Sequence, residues 1–255
     1  MRPLARPFTL LLLLITLAGC SLLPEQIDET RNWSAQKLYA RARENLMEGN
    51  YERAIELYEK LEARYPFGRY AQQALLESAY AHYKYGEPES ALATIDRFIR
   101  TWPRHPHLDY AYYLRGLVNF TRGKSFIDRL LPVDPSQRDA GAARQSFFDF
   151  KVVVERFPNS RYAADARKRM LFLRNLIAQY ELHVADFYLR RGAYVAAAAR
   201  ARNVIEHYQR TPAVPGALRI LATAYRRLGL DALAADAERV WRLNYGPRAG
   251  ARESR

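Results

Sequence analysis

The sequence contains very little cysteine: Cys20 is the only one in 255 residues. A disulfide within the chain is therefore excluded. The chain also lacks a phosphate-binding glycine loop, the G-x-S-x-G turn of serine hydrolases and the H-E-x-x-H helix of zinc peptidases. A helix needs about 20 apolar residues to cross a bilayer, and the longest apolar run of this chain is shorter. These absences argue against an enzyme and a membrane-spanning helix, and we predict neither a cofactor nor a metal.

The single cysteine follows a segment that is typical of a secretory signal peptide. Arg2 and Arg6 precede an apolar run over Phe8–Leu17, and small residues separate this run from Cys20. Positive charge, a short apolar run and a small-residue cleavage site occur in this order in exported proteins. We therefore expect residues 1–19 to be removed.

The stretch Leu17–Cys20 (LAGC) resembles the lipobox of bacterial lipoproteins, in which the cysteine is acylated. Two or three acyl chains hold a protein firmly on a membrane, whereas a single chain binds only marginally. Ser21 follows the cysteine, and by resemblance to lipoprotein sorting the absence of aspartate there points to the outer membrane. We predict a protein anchored by lipid at Cys20 to the periplasmic face of the outer membrane, with residues 20–32 as a linker. An ordinary cleaved signal peptide is the alternative.

Basic residues are distributed unevenly along the chain. The 40 lysines and arginines against 27 aspartates and glutamates give a net charge of +13. Ser21–Gly123 is neutral, whereas Lys124–Arg255 contains 24 basic and 13 acidic residues. Such asymmetry is typical of proteins that bind nucleic acid, an anionic membrane face or an acidic partner. Export argues against nucleic acid, which leaves a binding surface or a solvated arginine-rich face.

Glycines and prolines recur at a fixed interval. Five glycines form two series with a spacing of 37 residues: Gly49, Gly86 and Gly123, then Gly192 and Gly229. Pro66 and Pro103 have the same spacing, and each follows an aromatic residue, as Pro158 does. Glycine supplies the left-handed turn that ends a helix, and proline disfavours helix in the residue before it. The interval therefore predicts consecutive pairs of antiparallel helices.

Small residues occupy two fixed positions in these pairs. Seven residues before the five glycines lie Ala42, Ala79, Gly116, Ala185 and Ala222. Five residues after four of the glycines lie Ala54, Ala91, Ala197 and Ala234. Small side chains allow two helices to approach closely, and this is the pattern of the tetratricopeptide repeat (TPR).

We predict an all-α, TPR-like helical-repeat solenoid of about five helix pairs. The predicted pairs cover residues 33–66, 70–103, 107–158, 161–210 and 213–245. We divide them into N-terminal repeats over 33–123 and basic C-terminal repeats over 124–245, with a turn-rich insertion near 124–140. The polar tail 246–255 is predicted to be disordered.

Many of the 18 tyrosines lie in the first three predicted repeats. They cannot all point inward from one helix, and a stack of helix pairs curls around a concave groove. Tyrosines there offer rigid contact area and hydroxyls to an extended client peptide. Packing of the tyrosines in the core is the alternative. The groove candidates, with two arginines for a client carboxylate, are Tyr65, Phe67, Tyr70, Tyr80, Tyr83, Arg97, Tyr112 and Arg115.

One short segment has residues of the types that bind metals. His105 and His107 are close to Asp109. Pro103 and Pro106 place this segment in a loop that opens the next helix. We therefore interpret the histidines as helix-capping residues.

Two long segments resemble the BamD family of lipoproteins, which belong to the bacterial outer-membrane β-barrel assembly (BAM) machinery. Asn50–Leu117 contains "RYPFGRYAQQ" and "IDRFIR", which are specific beyond general repeat similarity. Arg156–Ala201 contains "RFPNSRYAADARKR" and resembles the fourth repeat of the family, with its long first helix. The resemblance covers residues 33–245 and the lipobox.

The resemblance implies a periplasmic scaffold whose C-terminal repeats bind a POTRA domain of BamA and whose N-terminal repeats receive unfolded β-barrel precursors. It assigns BamA binding to Arg200 in "GAYVAAAARARNV", and we include Arg202 in the same candidate surface. Other BAM lipoproteins are further expected partners. A lipidated TPR scaffold for cell-wall or pilus assembly is one alternative. A wall-modifying enzyme is another, against which the absence of catalytic residues argues.

Overall fold

The computed structural model describes residues 28–122 and 140–247, which form ten α-helices and no strand. The predicted signal peptide, Cys20, Gly123, the insertion up to residue 139 and the tail from residue 248 lie outside the described residues. The helices are α1 Ala35–Glu48, α2 Tyr51–Arg64, α3 Arg69–Tyr85, α4 Pro88–Thr101, α5 Leu108–Thr121, α6 Gly141–Arg156, α7 Ala163–Arg190, α8 Tyr194–His207, α9 Val214–Arg227 and α10 Asp231–Tyr245.

The ten helices pack as five consecutive pairs, and each pair also packs on the next. This confirms the predicted all-α, TPR-like stack. The first helices of neighbouring pairs contact each other directly, as α1 does with α3, α3 with α5 and α7 with α9. No comparable contact joins the second helices of neighbouring pairs in the described residues. The first helices therefore line the inner side of the stack.

Local sequence sets the ends of the helices. The Ser34 hydroxyl accepts a hydrogen bond from the backbone N–H of Lys37 at 3.2 Å, which caps the start of α1. Gly49 and Gly86 end α1 and α3 with φ of 84° and 92°, a left-handed conformation that costs glycine little. Pro88 stands in the first turn of α4, where a missing backbone N–H breaks no helical bond.

The small residues lie where the two helices of each pair cross. All nine that the sequence pattern singled out are buried. The third pair has a tenth, Ser146, which is fully buried and lies 12 residues before Pro158, as Ala54 lies 12 before Pro66. Its hydroxyl donates to the carbonyl of Gly116 at 2.9 Å. The 37-residue interval missed Ser146 because the insertion displaces it.

Gly116 leaves no space for a side chain where α5 and α6 cross. A Cβ added there would lie 2.7 Å from Cε1 of Phe150, which is fully buried on α6. The third pair therefore admits the Phe150 ring only because position 116 has no side chain.

We expect Gly116→Val to lower the free energy of unfolding by about 1 to 3 kcal/mol, because the added atoms overpack a filled contact. Urea unfolding followed by circular dichroism measures this. In Gly116→Val/Phe150→Leu the smaller side chain makes room, so the double variant loses less stability than the two single losses together. Strictly additive losses would show that the ring contact is not the cause.

Candidate functional site: two partner-binding surfaces

A buried carboxylate joins three helices in the C-terminal part of the stack. Glu181 on α7 is 3% exposed at its side chain. Its Oε1 accepts from the Arg144 guanidinium of α6 at 2.6 Å, and its Oε2 accepts from Nη1 of Arg200 on α8 at 3.0 Å. One anion thus holds two cations. The cluster keeps a net positive charge.

Arg200 is the outer member of this cluster. Its side chain is 46% exposed, so one edge of the guanidinium is held by Glu181 and the rest faces solvent. The hydrogen bond from Arg200 to Glu181 raises the pKa of Arg200 above its ordinary value. A planar guanidinium fixed in this way is ready to bind a second carboxylate.

An open groove of about 720 Å³ adjoins Arg200 along α7 and α8. Aromatic side chains form much of its wall, and Phe187 is 45% exposed. The Phe187 and Tyr188 rings pack edge-to-face with 5.7 Å between their centroids. The Arg191 guanidinium lies 4.8 Å from the centre of the Phe187 ring. Tyr180, also in the wall, packs under Arg144 at 5.5 Å. Arginine and aromatic side chains in a recess are the composition of energetic hot spots in protein interfaces.

Arg202 does not belong to this groove. It lies two residues beyond Arg200, which is about 200° around an α-helix. Its side chain is exposed on α8 and is absent from the groove wall. The structure therefore separates the two arginines that the sequence grouped together.

A second surface lies on the inner helices of the first repeats, where Glu77 of α3 holds two tyrosines. The hydroxyls of Tyr39 and Tyr58 donate to its carboxylate at 2.8 and 2.5 Å. Burial, and then the bonds to Glu77, raise the pKa of both tyrosines above the ordinary value. The Tyr39 ring packs on Tyr70 with 5.5 Å between centroids. Tyr58 is buried, whereas Tyr39 and Tyr70 stay partly exposed.

The tyrosine surface continues across the next two inner helices. On α5 and at the start of α7, the Tyr162 ring lies 5.4 Å from Tyr110 and stacks on Tyr113 at 4.7 Å. The Tyr113 hydroxyl donates to Asp165 at 2.7 Å. On α3, Tyr80 and Tyr83 pack at 6.3 Å and are both half-buried. These rings pack on the core with one side and remain accessible on the other.

The remaining aromatic candidates lie elsewhere. Phe67 is 88% exposed in the loop between α2 and α3. Tyr65 is 37% exposed, and its hydroxyl donates to the Trp33 carbonyl at 2.9 Å. Tyr112 packs against Phe157 rather than with the inner tyrosines.

The two arginines that the sequence analysis proposed for the client groove, Arg97 and Arg115, already have carboxylate partners within the chain. Arg97 on α4 pairs with Glu62 on α2 at 2.6 Å. Arg115 bridges Asp96 at 2.7 Å and Asp149 at 2.8 Å. Asp149 is 1% exposed, and desolvation raises its pKa despite the opposing charge of Arg115. These arginines join successive helix pairs, and their charge is compensated before any client arrives.

Arg43 is a cation on the inner surface that the sequence analysis missed. It is exposed on α1, one helical turn after Tyr39, and its charge acts on the hydroxyls of Tyr39 and Tyr58. It forms no ion pair within the described residues. The i, i+4 spacing from Tyr39 is the sequence signal that could have identified it.

The histidine segment has a structural role. His105 Nδ1 accepts from the backbone N–H of His107 at 3.1 Å, and the His105 ring packs edge-on against Phe98 at 5.0 Å. Burial, and then the charge of His107, lower the pKa of His105. Asp109 instead accepts from the Ser160 hydroxyl at 2.6 Å. In the described ranges no three histidine, cysteine, aspartate or glutamate residues lie close enough to hold a metal.

The ten described helices vary in length from 14 to 28 residues. None of them is both long enough and apolar enough to cross a bilayer. The stack of helix pairs defines a TPR-like helical-repeat protein.

Comparison with known proteins gives the family. The sequence model of the YfiO family, described as an outer membrane lipoprotein, matches residues 31–240. The chain therefore belongs to the YfiO family of outer membrane lipoproteins.

Three relatives illustrate the similarity, and each is named outer membrane protein assembly factor BamD. The protein of Neisseria meningitidis serogroup B is 50% identical over 216 residues, which cover 85% of this chain and 81% of the relative. The Xylella fastidiosa Temecula1 protein is 46% identical, with coverages of 82% and 71%. The Vibrio cholerae serotype O1 protein is 39% identical, with coverages of 92% and 96%.

Among solved structures, a thermophilic TPR protein of Thermus thermophilus is similar over 86% of this chain and 96% of its own. Its TM-score is 0.38 and its sequence identity 16%. The fold assignment is therefore carried by the helix pairs themselves.

Proposed function

We propose that this chain is a lipid-anchored scaffold of the outer-membrane β-barrel assembly machinery that binds BamA and unfolded outer-membrane protein precursors. The observation that carries the proposal is Arg200, held by the buried Glu181 at the edge of an aromatic groove. The names of the relatives support the assembly role. The protein acts by affinity and placement, without a catalytic step or a cofactor.

The alternative, a lipidated TPR scaffold for cell-wall or pilus assembly, shares the helix pairs and the anchor. Membership of a family whose relatives are named BamD favours the assembly machinery over this alternative. Other lipoproteins of the machinery are further proposed partners.

The first proposed contact is between the Arg200 groove and an acidic residue of a BamA POTRA domain. Glu181 fixes one edge of the guanidinium, so little side-chain entropy is lost when a carboxylate binds the other edge. The aromatic side chains beside Arg200 offer apolar contact area to the partner that carries the carboxylate.

We expect Arg200→Glu to weaken binding of purified BamA POTRA domains about tenfold or more, because a cation that meets a carboxylate becomes an anion. Surface plasmon resonance measures the dissociation constant, and circular dichroism checks that helicity is kept. Arg202→Glu is the matched control, since it changes the same charge on another face of α8 and leaves the affinity within about twofold. Equal losses in the two variants, or none in Arg200→Glu, would contradict the assignment.

The second proposed contact is between the inner tyrosine surface and the C-terminal segment of a β-barrel precursor. Half-buried rings on α1, α3, α5 and the start of α7 offer a continuous face for an extended peptide. Arg43, which forms no ion pair in the described residues, supplies the cation for the terminal carboxylate in place of Arg97 and Arg115.

We expect Arg43→Ala to weaken binding of a fluorescent precursor peptide with a free C-terminal carboxylate about fivefold, through loss of a charged hydrogen bond. Fluorescence anisotropy gives the affinity. Arg97→Ala is the control, because its guanidinium is already bound by Glu62. A larger loss in Arg97→Ala than in Arg43→Ala would return the carboxylate site to α4.

The third proposed contact is the lipid anchor at Cys20, supported by the lipobox and by the description of the family. The residue lies outside the described structure.

Cys20→Ala removes the acylated atom, so we expect the variant to leave the membrane fraction when cells depleted of BamA are fractionated. The unaltered chain in the same cells is the control. Retention of both with the outer membrane would mean that another attachment holds the protein.

A further inference from the structure

A groove in the last helix pair has the features of a binding site of its own. It lies between α9 and α10 and encloses about 450 Å³. Leu218, Ala222 and Trp241 give it apolar walls. Arg219 and Arg242 also line it.

The charge of this groove is uncompensated at both of these arginines. The Arg219 guanidinium lies 4.5 Å from the centre of the Trp241 ring, and it has no carboxylate partner in the described residues. Arg242 likewise has none there. Glu238, the acidic residue of the wall, is already bound by Arg226. An apolar groove with two free cations favours a ligand that combines a carboxylate with an apolar group.

Trp241 contributes a second feature to this groove. Its indole N–H is buried and has no hydrogen-bond acceptor in the described structure. Buried donors are nearly always paired, and an unpaired one costs stability. Because the Trp241 ring lines the groove, the signal of this N–H reports on changes around the ring.

We propose that the α9–α10 groove binds an extended segment of a partner protein in which an aspartate or glutamate adjoins an apolar side chain. Arg219 and Arg242 bind the carboxylate, and the apolar side chain packs on Leu218, Ala222 and the Trp241 ring. In this proposal the carboxylate is that of a side chain, and the segment continues on both sides of it. The proposal is independent of the Arg200 surface, which lies on other helices.

The test uses the indole N–H of Trp241 as a reporter in the full chain labelled with ¹⁵N-tryptophan. The three tryptophans, Trp33, Trp102 and Trp241, give three indole signals, and Trp241→Phe assigns the third. The probe is the peptide GSGEFGSG, acetylated and amidated at its ends. We expect the Trp241 signal alone to shift in a saturable way, with a dissociation constant below about 1 mM.

Variants of the peptide and of the protein test the proposed contacts of the carboxylate. Replacing the glutamate of the peptide by glutamine, or making Arg219→Ala or Arg242→Ala, is expected to weaken binding about fivefold or more. Arg227→Ala is the control, because this arginine is exposed on α9 outside the groove. No shift at about 1 mM, equal affinity for the two peptides, or an equal loss in Arg227→Ala would overturn the proposal. Tighter binding of a peptide that ends in GSGQF with a free carboxylate would overturn its assignment to a side chain.

Discussion

The close approach of the two helices in each pair is the constraint on which the rest of this structure depends. It requires a small residue on each helix where they cross, and the buried alanines, Gly116 and Ser146 provide it in all five pairs. Because the backbones are near each other there, larger side chains above and below the crossing are placed at fixed distances. The surfaces proposed for binding take their geometry from these crossings.

Two buried carboxylates, Asp149 and Glu181, join neighbouring helices and leave their arginine partners differently exposed. Asp149 is surrounded by Arg115 and Asn119, and Arg115 is closed off on its other side by Asp96. Glu181 also holds two groups, yet one of them, Arg200, is half exposed. A buried charge must be paired to be tolerated. The pairing of Asp149 leaves Arg115 largely enclosed between carboxylates, whereas the pairing of Glu181 leaves Arg200 half exposed to solvent.

The structure shows which groups the basic residues of the second half of the chain contact. Many of its arginines are neutralised by carboxylates or lie over aromatic rings. The proposed recognition therefore depends on a few cations that keep a free face, at Arg200 beside aromatic side chains and in the α9–α10 groove. Net charge steers a partner towards a surface, whereas such local arrangements decide where it binds.

The sequence by itself determined the helix pairs, because glycine turns, prolines and small residues act locally and recur at a readable interval. It also led to Arg200, through resemblance to a family and not through periodicity. Only the tertiary structure decided which arginines are free. Nothing in the sequence distinguishes Arg97 and Arg115 from Arg43, because the partners Glu62 and Asp149 lie 35 and 34 residues away, respectively. Such pairs form only when separate helices meet in the folded chain, and the spacing of residues along one helix carries no record of them.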